Sequence, residues 1–426
     1  MLVLFRVAQG LAGGGLQPSV QAILANSFSP QKRGMAMSLY TIAILVAPVL
    51  GPTAGVWITD SYSWRWIFYI STPVSILCVF LTRIILEDPP HMKEAKERAR
   101  KLSVDWTGLG FISIGLAVLE IVLDKGQELH WFGSPFIVFF AKVALIAIDG
   151  TIYWELKRPN PIVNLRLFRE RNFLFCCILI LCLYAAPFAA TYLLPTFMQQ
   201  IPGYTATTSG MVFAPAGLCT MIVVPFVGYM LTLGDDPRKM VIFGLVVLAS
   251  SFWWMSSLNL EIAELDIILP RIEQVLGAGI ITVPVSTNIF RFLPKTESSQ
   301  AAGLYALMRN EGGSIGIAPV STMLQRKAQL QQQMLGQHIT ASNGLVQQYI
   351  ARAAASPRNV ADHRYFAMSN LYKAMQRQAM LLSYMDQFRT FCGIILCILP
   401  LVIFLKPPAA QKHFELDVHL VLVKDV

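Results

Sequence analysis

Long apolar stretches separated by short polar connections run along almost the entire chain. Predominantly apolar runs occupy residues 2–25, 35–58, 66–86, 106–124, 135–155, 173–198, 210–233, 239–258, 267–290, 300–323 and 387–405. Each is long enough to cross a hydrocarbon core of about 30 Å as a helix. The pattern predicts an all-α polytopic membrane protein with eleven spans. Composition excludes the alternative of two or three soluble domains in 426 residues, because 55% of the chain is hydrophobic and only 14% charged, against roughly 25% charged in soluble proteins.

Charge adds sidedness. The basic residues collect in alternate connections, namely Lys32 and Arg33, the 87–105 and 156–172 segments, Arg238 and Lys239, and Arg291 and Lys295, while the intervening short loops carry only Arg65 and Lys125. Basic loops stay in the cytoplasm, so the C-terminal tail with Lys406, Lys412 and Lys424 is expected there and Met1 on the far side. The net charge of +9 thus reads as orientation, and no nucleic-acid partner is expected. The 324–386 connection, too polar for lipid, falls on the outer face by alternation. Its Gln- and Ala-rich composition predicts two amphipathic helices around Ser356-Pro357, forming an extracytoplasmic module. An odd span count with Met1 outside predicts an odd number of further spans upstream. The first run is not a signal peptide, since Arg6 interrupts it and no cleavage site follows a short apolar core.

Ionisable residues inside apolar spans are costly and are functional candidates by default. Arg6, Glu120, Lys142, Asp149, Glu273, Arg309 and Glu311 qualify. Structural readings stand beside the functional ones. Arg6 lies near a span end and could snorkel, Lys142 and Asp149 could pair on one helix face, Glu311 could partner Arg309, and Glu120 and Glu273 could be interfacial. Prolines at 48, 52, 73, 187, 195, 215, 225, 284 and 319 interrupt the spans, and such helices bend and hinge. Tyr184, Phe188, Tyr192 and Phe197 around Pro187 and Pro195 suit an adaptable apolar cavity, or ordinary aromatic packing. All seven cysteines lie in or beside apolar runs without metal-ligand spacing. The one adjacent acidic pair, Asp235-Asp236, sits beside Arg238 and Lys239, a poor site for Mg²⁺ and diphosphate. No enzyme activity and no cofactor are therefore expected.

Several motifs carry a family resemblance. Leu2-x-x-x-Arg6-x-x-Gln9-Gly10 with Gly13 to Gly15 resembles the fourth-helix motif of major facilitator drug exporters. Gly51-Pro52-x-x-Gly55 is similar to their fifth-helix antiporter motif, with Ala47 and Val56 where Gly is usual. Trp64-Arg65-Trp66-x-Phe68 matches the phrase that opens their sixth helix. Asp105-Trp106-x-Gly108, Leu123-Asp124-Lys125-Gly126 and Trp131 resemble the two extra helices of fourteen-span exporters, and Asn164-Leu165-x-Leu167-Phe168 the connector after them. Pro270-Arg271, Arg309-Asn310-x-Gly312-Gly313-Ser314-Ile315-Gly316 and Ser383-Tyr384-x-Asp386-x-Phe388 follow in the family's order.

The resemblance spans nearly the whole chain and points to the EmrB/QacA-like branch of drug:proton antiporters. It implies a major facilitator fold with 11 of 14 helices present and three preceding Met1. The chain would divide into the rest of an N-terminal bundle (1–86), a cytoplasmic loop with two inserted helices and a connector (87–172), a C-terminal six-helix bundle (173–406), and a cytoplasmic tail (407–426). It further implies export of lipophilic small molecules against protons across a bacterial inner membrane, with a periplasmic membrane-fusion adaptor and an outer-membrane channel as partners. Arg6 would act in proton coupling together with carboxylates among Glu120, Asp149 and Glu273, and with Arg309; Gly51, Pro52 and Gly55 would seal the cavity. A facilitator for a specific metabolite or siderophore, and an inactive fragment, are the alternatives.

Overall fold

The computed structural model describes residues 1–29, 32–85, 105–159, 161–340, 342–354 and 363–406. Most of the 87–105 connection, Ser356-Pro357 and the tail from residue 407 lie outside the described residues. Among those described, all regular structure is helical.

The N-terminal group comprises α1 (Leu2–Gly13), α2 (Leu16–Ser27), α3 (Arg33–Ser61) and α4 (Trp66–Ile85). A hairpin of α5 (Trp106–Lys125) and α6 (Pro135–Lys157) follows. The C-terminal group contains α7 (Arg171–Gln200), the short α8 (Ala206–Met211), α9 (Ala214–Thr232), α10 (Pro237–Met255), α11 (Glu264–Asn288), α12 (Ser298–Gly336), α13 (Gly344–Ala354) and α14 (His363–Ile398). Side-chain caps start several of them. Asp105 accepts from the Gly108 amide, Glu170 from Phe173, Thr205 from Thr208, and Asp236 from Arg238, each satisfying an N–H that the first helical turn leaves free. The α9–α10 turn passes through Gly234 at φ 97°, a conformation that disfavours any residue with a Cβ.

Eight helical segments among the described residues are long and apolar enough to cross a membrane, and the expected eleven are not matched. The run 2–25 breaks at Gly14 and Gly15 into two helices of 12 residues each, about 18 Å apiece at 1.5 Å per residue. The run 35–58 lies within the 29-residue α3. The run 300–323 lies on the 39-residue α12, where Arg309, Asn310 and Glu311 lower its apolar character. Most of the described residues of the 324–386 connection are helical, but α12 runs into it as far as Gly336 and α14 begins at His363, so the flanking helices supply most of them and α13 is the separate piece.

Packing centres on α7. Phe173, Leu183, Tyr184 and Phe197 are buried on it, and α12 lies so close that a Cβ on Gly312 or Gly316 would collide with the backbone of Leu181 or Ala185. Helices α10 and α11 meet through Gly244 against Ile281 and Gly277 against the Leu248 backbone. With lipid as apolar as leucine, such small-residue seams are what let membrane helices associate closely. The hairpin meets the rest on α12, through Ser314 donating to Glu120 (3.0 Å), Gln127 to Gln325 (2.7 Å) and Trp131 to Thr322 (2.8 Å). By contrast, α4 buries none of its residues.

Candidate functional site

The two helix groups meet along α3, which packs on α9, α11 and α8. Gly34 and Gly228 allow the closest approach. A Cβ on Gly228 would lie 2.7 Å from the Ser38 side chain, and one on Gly34 3.0 Å from the Gly228 carbonyl. At the other end of α3, Thr207 donates to Asp60 (2.8 Å). Gly51 and Gly55, the expected seal, have nothing within 4 Å of where a Cβ would stand, and the helix is continuous through Pro52. The closest approach between the groups thus lies about four to six turns nearer the start of α3 than the antiporter motif.

Between these contacts stands Arg309, 2% exposed. Helix α12 carries it across to the N-terminal group, where its guanidinium donates to the Tyr40 hydroxyl of α3 (3.2 Å) and to the Gln17 side chain of α2. Its Cζ also lies 5.9 Å from the Tyr184 ring centroid. Further polar groups are buried here without a hydrogen bond. Both amide atoms of Gln21 lack a partner, as does the Tyr305 hydroxyl. Gln21 is one turn beyond Gln17, and Tyr305 one turn before Arg309, so each shares a helix face with an Arg309-site residue.

The other expected site residues are dispersed. Arg6 is exposed, donates to Gln9 (3.1 Å) and covers the Phe68 ring at 4.8 Å, lining a crevice of about 520 Å³ with Phe5, Trp64 and Arg65. Glu120 is exposed and accepts from Ser314. Glu273 is half-buried and accepts from Ser250. Lys142 and Asp149 are both exposed, and no ion pair joins them among the described residues. Seven residues of helix separate them by about 10 Å along the axis, too far for direct contact. Glu311 does not partner Arg309, and its Oε2 is buried without a hydrogen bond.

Of the four aromatics on α7 expected to line a cavity, Tyr184 and Phe188 pair at 5.4 Å, with Tyr184 beside Arg309. Phe197 packs edge-on against Tyr384 in the core, and Tyr192 is 48% exposed. The four thus have different surroundings. Sequence reasoning missed Gln17, Gln21, Tyr40 and Tyr305, neutral residues with no individual signal. It also passed over Arg271 as a site residue. Arg271 is 2% exposed, donates to Gln274 and to Thr191 (2.9 Å), and stacks on Phe213 at 4.7 Å.

Residues 1–317 match the family model of the Major Facilitator Superfamily. The chain belongs to this superfamily. Its all-helical architecture with several membrane-crossing helices fits a multi-pass transporter of that group. This major facilitator chain is 32% identical to the multidrug export protein EmrB of Escherichia coli over 409 residues, covering 96% of this chain and 78% of that protein. It is 29% identical to the fatty acid resistance protein FarB of Neisseria gonorrhoeae, with the same coverage. The colistin resistance protein EmrB of Acinetobacter baumannii is 26% identical over 95% of this chain and 78% of its own length. These relatives are thus named for multidrug export, fatty acid resistance and colistin resistance.

Proposed function

We propose that this chain is a secondary active exporter of lipophilic compounds, exchanging them for protons by alternating access between its N-terminal and C-terminal helix groups. The observation that carries the reading is the Arg309 cluster. A buried guanidinium from the C-terminal group, held by neutral residues of α2 and α3, is a polar centre at the one boundary whose opening and closing would expose it to either side. Tyr184 and Phe188 supply the apolar wall beside it. Proton exchange falls to intramembrane carboxylates, for which Glu120, Asp149 and Glu273 are the candidates, with Arg6 at the crevice on α1. The setting is a bacterial inner membrane with a cytoplasmic C-terminus, and the outer face offers a helical surface for a periplasmic adaptor and, through it, an outer-membrane channel.

Ethidium efflux from cells expressing the chain tests this. Efflux above that of vector controls, abolished by an uncoupler, is the expected result. Efflux indifferent to the uncoupler, or absent from cells whose membranes contain the protein, would refute proton-coupled export.

A further inference from the structure

The most deeply buried acids among the described residues meet at one end of the α5–α6 hairpin. Glu155, in the last turn of α6, is 1% exposed, and Asp105, which caps the start of α5, is 8% exposed. Nearly all the hydrogen-bond donors here are directed at Asp105. The Gly108 amide serves its Oδ1 (3.1 Å), the Trp154 indole its Oδ2 (2.8 Å), and Arg158 Nε stands 3.5 Å from the same Oδ2. Glu155 receives the Val163 amide on Oε2 at 3.4 Å, while its Oε1 is buried without a hydrogen-bond partner among the described residues. Gly108 shows where that oxygen points. A Cβ on Gly108 would lie 2.6 Å from Glu155 Oε1 and 3.1 Å from Asp105 Oδ2, so the two carboxyl groups border one small space across a residue that has no side chain to part them.

A buried carboxylate oxygen that accepts no hydrogen bond has lost its hydration without replacement. A second carboxylate beside it adds repulsion, and acids so placed keep a proton between them. We propose that Glu155 carries a proton on Oε1 and donates it to the Asp105 carboxylate, forming a proton-binding site at the end of the hairpin, apart from the Arg309 cluster. The proton turns the one oxygen that lacks a donor into a donor with an acceptor at hand. Asp105 is the member that stays ionised, since Gly108, Trp154 and Arg158 all face it. The charged groups acting on Glu155 are Asp105 from α5 and Arg158 just beyond α6. Arg166 of the connector is taken up by the Leu156 and Arg158 carbonyls, and among the described residues no cation lies within 4.0 Å of Glu155. A metal ion would need several oxygens turned to one point, whereas here the other three carboxyl oxygens already meet N–H groups. The bond closes a ring of three segments. Asp105 caps α5, Trp154 and Glu155 end α6, and Val163 lies on the connector to α7. Loss of the proton would set two like charges against each other across Gly108 and loosen the connector from the hairpin.

Infrared spectroscopy of the purified full chain at neutral pH reads the site directly, because a protonated carboxyl has a C=O band apart from those of carboxylates and amides, and the band moves on deuteration. Glu155→Gln keeps an N–H facing Asp105, so it should retain the fold while losing the band of one carboxyl per chain. Asp105→Asn, which replaces a charged acceptor by a neutral one, should shift or abolish the same band. Glu128→Gln, at an exposed acid paired with Lys125, should leave it in place. A monodisperse Glu155→Gln protein whose carboxylic-acid region superimposes on the parent's overturns the proposal. Should that variant fail to fold, an Asp105→Asn spectrum identical with the parent's overturns it instead. A parent band that sodium chloride abolishes would reveal a metal-ion site and equally overturn the resident proton.

Discussion

Substituting Gly316 by Ala isolates the seam between α7 and α12. The added Cβ would collide with the carbonyl oxygen of Ala185 and lie 2.6 Å from its carbonyl carbon and Cα, whereas ordinary van der Waals contact begins at 3.4 Å, so the two helices must separate locally by more than about 0.8 Å or tilt. The obstacle is backbone, and trimming the Ala185 side chain would not relieve it. Overpacking of this kind costs about 1–3 kcal/mol, opposed by the roughly 1 kcal/mol by which Ala favours a helix over Gly. Gly303 on the same helix provides the control, since nothing lies within 4 Å of its would-be Cβ, and Gly303→Ala should show the propensity gain alone. In thermal unfolding followed by tryptophan fluorescence in detergent, Gly303→Ala should melt at or above the parent. Gly316→Ala should melt several degrees below Gly303→Ala, with Gly312→Ala behaving likewise against Leu181. A Gly316→Ala protein as stable as Gly303→Ala would refute the close backbone contact.

Other consequences are open to direct measurement. Gly228→Val should push α9 away from α3 at Ser38 and Gly34 and reduce ethidium efflux more than it reduces the amount of protein in the membrane. Equal efflux per molecule would show that this crossing does not matter to transport. Asp105, outside the apolar span it caps, is held below the usual carboxylate range by the Gly108 amide, with the Trp154 indole and Arg158 adding to the effect against opposing desolvation. A depressed carboxylate contributes stability that is present above its unfolded pKa near 3.9 and lost as pH falls through the lower folded value. Asp105→Asn should therefore lower the melting temperature at pH 7 and converge with the parent as the pH falls below about 4; an unchanged difference in acid would count against this cap. A cysteine placed at Ser342 should react with an impermeant maleimide on intact cells while one at Lys96 does not, and the reverse pattern would invert the topology.

The separate legibility of fold and site follows from how far apart their determinants lie in the chain. Apolar run length is local, so all the runs read from the sequence fall on helices, and only their continuity was misjudged where Gly14 and Gly15 break one and Arg309 to Glu311 dilute another. Contacts between helices are not local. Gly34 and Gly228 are 194 positions apart, and neither residue announces the other, whereas Gly51 and Gly55 carried a motif but have nothing within 4 Å of where a Cβ would stand. The charged candidates show the same division. Intramembrane charge singled out Arg309 correctly as unusual, yet its neighbour in sequence, Glu311, suggested a pair that helix geometry forbids. Its actual partners are Gln17 and Tyr40, about 290 and 270 residues away. A neutral amide or phenol in a span is unremarkable by itself. It becomes part of a site only when folding sets it against a buried cation that no carboxylate approaches within 4.0 Å among the described residues, a relation between distant helices that no linear motif carries.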